Sequence, residues 1–282
     1  NHIGEIAFLS AIACPTVGLI TNVGKAHLEG FGSFEGVMKT KGELYTYLKE
    51  HDGTTFIQGE NQYLQEMAQE HGLTKLQPYG RNESNVVVGQ LLRANPYLTI
   101  SWHLQGSSLT STVETHLTGA YNVENMLAAA AVGHYFGMST ERINAGLADY
   151  VPRNNRSQLT NTATNLVIAD YYNANASSMH AALENIAVIE GTHKAVILGD
   201  MFEMGDESTV EHQRVIDQAL QLSLDRLIFV GQAFYALRIE RAEFYETTAE
   251  AMRALEEQPI KEAVILLKAS RGMAFEKIMP LL

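Results

Sequence analysis

The stretch Gly18-Leu19-Ile20-Thr21-Asn22-Val23-Gly24-Lys25-Ala26 follows an apolar run and closes on Gly-Lys, residue types that can wrap a phosphate. It departs from the pattern G-x-x-x-x-G-K-[ST] twice. Five residues separate the glycines instead of four, and Ala26 stands where a hydroxyl would hold Mg²⁺. No other segment comes closer, so these 282 residues carry no phosphate loop of that pattern. His27 follows directly. Its plain reading is a loop histidine bonded to backbone, because Mg²⁺ prefers oxygen to imidazole.

Lys41 is more informative. It lies on the apolar stripe of a predicted helix marked by Phe34, Val37, Met38, Leu44, Tyr45 and Leu48. A lysine there must snorkel or find a carboxylate. A third course exists: burial favours the neutral amine, which can add CO₂ and become a carbamate, in effect a long anionic ligand. Residue chemistry by itself favours snorkelling. Lys39 points off the stripe and serves as a solvated control. Further on, Asn122 and Asn125 stand three apart in the first turn of a predicted helix, where side-chain amides read a base edge or cap the backbone.

The elements that must hold these residues fall into two styles. Residues 5–13, 34–48 and 61–70 have helical spacing, and residues 16–21 and 54–58 are short apolar strands. Alternation over 98–104 and 109–117, with Gln105-Gly106-Ser107-Ser108 between, predicts an antiparallel hairpin with one wet face. Helices follow over 121–136 and from an N-cap at Ser139 to about Tyr150. Pro152 and the run Arg153-Asn154-Asn155-Arg156-Ser157 form the clearest linker. Beyond it strands at 166–169, 195–198, 226–230 and 263–267 alternate with helices at 177–189, 209–220, 232–237, 249–256 and 273–282, which predicts an α/β fold with a parallel sheet covered on both faces.

In such a sheet ligands meet residues just past the carboxyl ends of strands. Those places hold residues 170–175 (DYYNAN), Gly199-Asp200, Gly231 and Lys268-Ala269-Ser270-Arg271-Gly272. A carboxylate, amides and cations at separate strand ends suit an anionic ligand, although polar loops there are also ordinary.

Composition bounds the partners. Twenty Lys+Arg against 32 Asp+Glu give a net charge of −12, which argues against nucleic acid and against an anionic membrane surface. No run approaches the roughly 18 apolar residues of a membrane span. The single cysteine, Cys14, rules out internal disulfides and zinc frameworks, and no secretory signal opens the chain, so a cytoplasmic setting is expected. The sequence opens on Asn1-His2-Ile3-Gly4-Glu5 without Met and reads as the continuation of something longer.

Taken in order, seven stretches resemble the Mur ligase family: residues 1–6 (NHIGEI), 21–33 (TNVGKAHLEGFGS), 39–43 (KTKGE), 119–130 (GAYNVENMLAAA), 170–178 (DYYNANASS), 198–205 (LGDMFEMG) and 268–277 (KASRGMAFEK). The resemblance implies the C-terminal part of a central ATPase domain over 1–157 and a Rossmann-like parallel-sheet C-terminal domain over 158–282. It also implies that the family's phosphate loop, a Mg²⁺-binding glutamate and an N-terminal domain holding the UDP-sugar lie upstream of Asn1. The activity implied is an ATP-dependent amide ligase using ATP and Mg²⁺ and passing through an acyl phosphate. The tight Tyr-Asn-Ala-Asn pattern favours the branch that joins D-alanyl-D-alanine to UDP-N-acetylmuramoyl-tripeptide. By the same resemblance His27 contacts Mg²⁺, and Lys41 is carbamoylated, which reverses the preference for snorkelling. Asn122 and Asn125 lie beside adenine, Arg156 reaches the nucleotide phosphates, and Asp170 lies beside the ribose. Asn173 and Asn175 belong to the ATP-facing loop, and Lys268, Ser270 and Arg271 stand near the incoming dipeptide. Two other readings stay open: a related ligase with a different acceptor, such as folylpolyglutamate synthase or another amino-acid-adding member, and a non-catalytic binding module.

Overall fold

The computed structural model describes residues 2–24 and 28–282, with the backbone alone at 28 and 29. The chain divides into two compact units. The first comprises Asn1–Arg93, Tyr97–His116 and Ala120–Tyr150; the second comprises Ala94–Pro96, Leu117–Gly119 and Val151–Leu282. Among the described residues no helix is long and apolar enough to cross a membrane.

In the first unit the order is α1 (Glu5–Ala13), β1 (Val17–Leu19), α2 (Leu28–Phe31), α3 (Phe34–Glu50), β2 (Thr54–Gln58), α4 (Gln62–Glu70), β3 (Leu76–Gly80), β4 (Val87–Ala94), β5 (Leu98–Leu104), β6 (Ser111–Glu114), α5 (Asn122–Tyr135) and α6 (Thr140–Asp149). The sheet runs β1-β2-β3-β4-β5-β6, parallel from β1 to β4 and antiparallel between β5 and β6. Tyr45 of α3 and Leu64, Met67 and Ala68 of α4 close over Ile20 and Ile57 to form one core. Helix α5 lies on the sheet where Gly89 makes room. A Cβ there would come 2.4 Å from Leu127 Cδ2 and 2.8 Å from Ser101 O, closer than packed atoms tolerate.

Two expectations need correction here. The hairpin has no wet face over 98–102, because Thr99 and Ser101 are buried along with Leu98, Ile100 and Trp102; the alternation separates an apolar face from a small hydroxyl face, both covered. Leu109 is 82% exposed and lies outside both strands. The sequence reading names no strand over β3 and β4; in β3, Pro78 sits mid-strand, an unfavourable residue there, and pairs with Ile57 on its β2 side.

In the second unit the order is β7 (Gln158–Asn161), β8 (Leu166–Asp170), α7 (Ala176–Val188), β9 (His193–Gly199), α8 (Ser208–Gln221), β10 (Arg226–Val230), α9 (Gln232–Ala236), β11 (Glu243–Tyr245), α10 (Thr248–Glu257) and β12 (Ala263–Lys268). The sheet order is β11-β10-β9-β12-β8-β7, parallel throughout except for β7, which pairs antiparallel with β8. The crossovers from β8 to β9, β10 and β11 all step the same way across the sheet, and the return to β12 steps back. Right-handed connections therefore put α7, α8 and α9 on one face and α10 on the other. Ala251 and Leu255 of α10 pack with Phe275, Ile278 and Leu282 over Val167, Ile197, Ile228, Ile265 and Leu267. The expected helix over 273–282 is instead three single 3₁₀ turns, Arg271–Met273, Phe275–Lys277 and Met279–Leu281. Ala274 holds left-handed backbone at φ 55°, and Pro280 has no N–H to continue a helix. β7 and β11 escaped the sequence because each is a short, half-buried edge strand.

Candidate functional site

In the first unit, Ser33 caps α3 by accepting the Gly36 N–H at 3.1 Å, and this fixes the phase that puts Lys41 on the stripe of Val37 and Tyr45. Lys41 is half-buried, and its Nζ donates to the carbonyl of Asn22 at 2.7 Å, in the loop after β1. Burial pushes its ammonium below the usual lysine range. Lys39 is exposed, as its phase requires. His27 lies outside the described residues. One residue that sequence reasoning passed over is Glu43, whose carboxylate accepts the N–H groups of Gly4 at 2.7 Å and Ala7 at 2.9 Å at the positive end of α1.

Helix α5 begins at Asn122. Asn122 is buried, Asn125 is exposed, and Asn125 Nδ2 donates to Asn122 Oδ1 at 3.0 Å. That bond fixes the Asn125 amide so that its carbonyl oxygen and second N–H remain available. An outward acceptor and donor side by side match the paired donor and acceptor of an adenine edge. Glu124, between them, has its carboxyl pKa raised by burial.

In the second unit the strand ends converge at the switch point of the sheet. Chains leave β8 and β9 toward one face, while the chain leaving β12 between them turns to the other, which opens a crevice at the carboxyl ends. Asp170 closes β8 and Lys268 closes β12. The Lys268 ammonium donates to Asp170 Oδ2 at 2.7 Å and to the Asn173 carbonyl at 3.2 Å. Asp170 Oδ1 accepts the Ser157 N–H at 2.9 Å. Asp170, Lys268, Asn173 and the linker are thus brought together. Asn175 is committed elsewhere: its Oδ1 accepts the Ser178 N–H at 2.9 Å as the N-cap of α7, and Ser178 Oγ answers its backbone N–H in a capping box. The Asn173 side chain is exposed.

A second group lies one strand over. Asp200, just after β9, accepts the N–H groups of Ala233 at 2.9 Å and Phe234 at 3.0 Å at the start of α9. Gly231 permits this approach, since a Cβ there would come 2.2 Å from Asp200 Cγ. Ser270 Oγ accepts the Phe202 N–H at 2.9 Å. His212 is fully buried on α8, with Nδ1 donating to Ser208 O at 2.7 Å and Nε2 accepting the Met201 N–H at 3.0 Å. This pattern requires a neutral ring, and burial indeed lowers its pKa. The sequence signal for His212 was its phase with Val215, Ile216 and Ala219 on the buried stripe of α8.

The cations at the mouth of the crevice are Arg156 and Arg271, both exposed. The Arg156 guanidinium lies 4.0 Å from the centre of the Tyr172 ring, and that of Arg271 lies 5.4 Å from the same centre. In the sequence Tyr172 is legible only as part of the loop 170–175.

These residues fit a nucleotide polyphosphate better than a bare metal. Within the second unit the two exposed guanidiniums supply fork-shaped donors suited to phosphate oxygens. Among the described residues no three His, Cys, Asp or Glu side chains converge where a metal could sit. Mg²⁺ carried by phosphate oxygens needs only one or two protein ligands, so that observation is compatible with a Mg²⁺-nucleotide.

Two α/β units, the second built on a doubly wound sheet, define a fold class, and comparison narrows it. Residues 1–133 match the Mur ligase middle domain, and residues 155–271 match the Mur ligase glutamate ligase domain. The chain belongs to the Mur ligase family. It is 33% identical over 288 residues to UDP-N-acetylmuramoyl-tripeptide--D-alanyl-D-alanine ligase of Escherichia coli (strain K12), covering 99% of this chain and 62% of that protein. A crystal structure of MurF from Acinetobacter baumannii superposes with a TM-score of 0.86 at 28% identity, covering 99% of this chain and 62% of the other. MurF ligase from Thermotoga maritima, solved in complex with ADP, shares the fold at a TM-score of 0.85 and 22% identity, over 99% of this chain and 64% of that one. The chain thus spans less than two thirds of the length of these relatives.

Proposed function

We propose that the chain forms part of an ATP-dependent ligase that joins D-alanyl-D-alanine to UDP-N-acetylmuramoyl-tripeptide in peptidoglycan precursor synthesis, in the cytoplasm. The observation that carries this reading is its 33% identity, over 99% of its length, to a relative named for that reaction. In the reaction a carboxylate oxygen of the tripeptide takes the terminal phosphoryl group of ATP, and ADP leaves. The amine of the dipeptide then attacks the acyl carbon. A C–N bond forms, the C–O bond to phosphate breaks with its electron pair leaving on phosphate, and the nitrogen gives up a proton. Charge builds on oxygen at both steps, so cations around the reacting carbon lower the barrier.

The roles proposed for single residues come from the family resemblance. Asn122 orients Asn125 toward adenine. Asp170, held by Lys268 and the Ser157 N–H, has lone pairs left for ribose hydroxyls. Arg156 takes the nucleotide phosphates, Asn173 lines the same loop, and Asn175 shapes it through its cap on α7. Lys268, Ser270 and Arg271 border the dipeptide. Lys41, as a carbamate, and His27 would orient Mg²⁺, whose chemistry is to neutralise charge on the phosphates. The Asn22 carbonyl, which accepts from the Lys41 amine, could accept the one N–H that a carbamate nitrogen keeps.

This reading requires a phosphate loop from outside these 282 residues. Assayed together with sequence that supplies one, ADP release should depend on both UDP-N-acetylmuramoyl-tripeptide and D-alanyl-D-alanine. ADP release with a single amino acid in place of the dipeptide would sink the acceptor assignment. The 282 residues by themselves should bind ATP-Mg²⁺ weakly and not turn it over, which calorimetric titration checks.

A further inference from the structure

Tyr172 stands where three stretches of chain meet. Its backbone N–H donates to the Asn155 carbonyl at 3.2 Å, its ring carries the Arg156 guanidinium at 4.0 Å, and the Arg271 guanidinium approaches the same ring at 5.4 Å. Arg156 is braced on both sides, because Asn155 and Ser157 hold left-handed backbone at φ 55° and 50°. Non-glycine residues keep that conformation only where surrounding contacts enforce it. Here the contacts are the Tyr172 N–H on Asn155 and the Asp170 carboxylate on Ser157.

The arginines that pair with carboxylates in the described structure are Arg93, Arg214 and Arg226. Arg156 and Arg271 are not among them; each has the ring instead. Two like charges sharing one aromatic ring repel, and the geometry gains from an anion that both can bind. Their separation cannot exceed the sum of the two ring distances, a span that one polyphosphate or one carboxylate with its neighbours can bridge. We propose that Arg156, Tyr172 and Arg271 form a single oxyanion clamp, with Tyr172 as the positioning residue that sets the spacing of the two guanidiniums. The clamp rests on the ligase reading only for its natural ligand, either the phosphates of the nucleotide or the carboxylate of the amine substrate.

The test titrates inorganic tripolyphosphate and, separately, D-alanyl-D-alanine into the 282-residue chain at low ionic strength, with calorimetric readout and circular dichroism to check folding. The unmodified chain binds tripolyphosphate. Tyr172→Phe, which keeps the ring, stays within about twofold, and Tyr172→Leu weakens binding by about threefold to tenfold, the loss expected for exposed cation–π contacts. Arg271→Gln leaves the ring in place and must weaken binding by at least about threefold, which keeps the clamp testable where Tyr172→Leu fails to fold. The same Phe and Leu contrast seen for the dipeptide instead of tripolyphosphate supports the clamp and assigns it to a carboxylate. No binding of either anion, equal affinity in the Leu variant, or equal weakening by Phe and Leu overturns it. An intact clamp without dipeptide-dependent ADP release in the loop-supplemented enzyme counts against the ligase reading alone. Such release with an unaffected Tyr172→Leu variant counts against the clamp alone.

Discussion

Lys268 and Asp170 are direct register partners at the carboxyl ends of the adjacent parallel strands β12 and β8, and the lysine nitrogen lies 2.7 Å from the carboxylate. Lys268 is 2% exposed, so its ammonium has exchanged its water for Asp170 and the Asn173 carbonyl. Lys268→Met should strand the Asp170 charge and cost about 3–5 kcal/mol of unfolding free energy. The double change Lys268→Met with Asp170→Asn should cost less than the two single changes summed. Urea unfolding of the four proteins decides this, and strict additivity would show that the pair is not coupled.

His212 makes stability pH-dependent in a definite direction. Burial holds its imidazole below the ordinary 6.5, outweighing Asp200 and Glu211, which pull the other way. The unfolded chain therefore takes up a proton at pH values where the folded chain does not. The contribution is fully present above about pH 6.5 and is lost as pH falls from there toward the folded value. The urea midpoint should decline across that window, and His212→Gln should flatten the decline. Parallel profiles for the two proteins would contradict the assignment.

The capping box at α7 predicts a graded series. Asn175→Ala should lose about 1 kcal/mol, whereas Asn175→Ser should stay near the starting stability, because Ser also caps. Thermal unfolding separates these outcomes. An Asn175→Ala protein as stable as its parent would mean that the carboxamide is not engaged at the helix end.

For Lys41, ¹³C-bicarbonate should yield a carbamate carbon resonance in the protein at mildly alkaline pH. Both Lys41→Arg and removal of CO₂ should abolish it. A resonance that survives in the arginine variant belongs to another amine, and its absence from the parent protein leaves Lys41 as a plain ammonium on Asn22 O.

The regular half of the molecule was legible because buried parallel strands announce themselves as apolar runs: residues 166–169, 195–198, 226–230 and 263–267 all fall within strands. Legibility failed where the backbone, not hydrophobicity, decides. Pro78 occupies a strand, Ala274 turns left-handed, and Gly89 admits Leu127 to the sheet; none of these leaves a periodic trace. Asp170 and Lys268 could each be placed at a strand end from the alternation of elements, but their pairing needed the sheet order, in which β12 comes last in sequence and lies beside β8. Tyr172 was beyond sequence reading for the same reason, since its two arginine partners stand at 156 and 271.

The polar residues at the strand ends of the second unit are held largely by main chain. Asp170 takes the N–H of Ser157, Asp200 those of Ala233 and Phe234, Ser270 that of Phe202 and His212 that of Met201. Main-chain donors are present whatever side chain a position carries. The rim residues at 202 and 233 can therefore change identity without uncoupling the groups beneath them, so the mouth of the crevice is free to be remodelled while its floor stays in place.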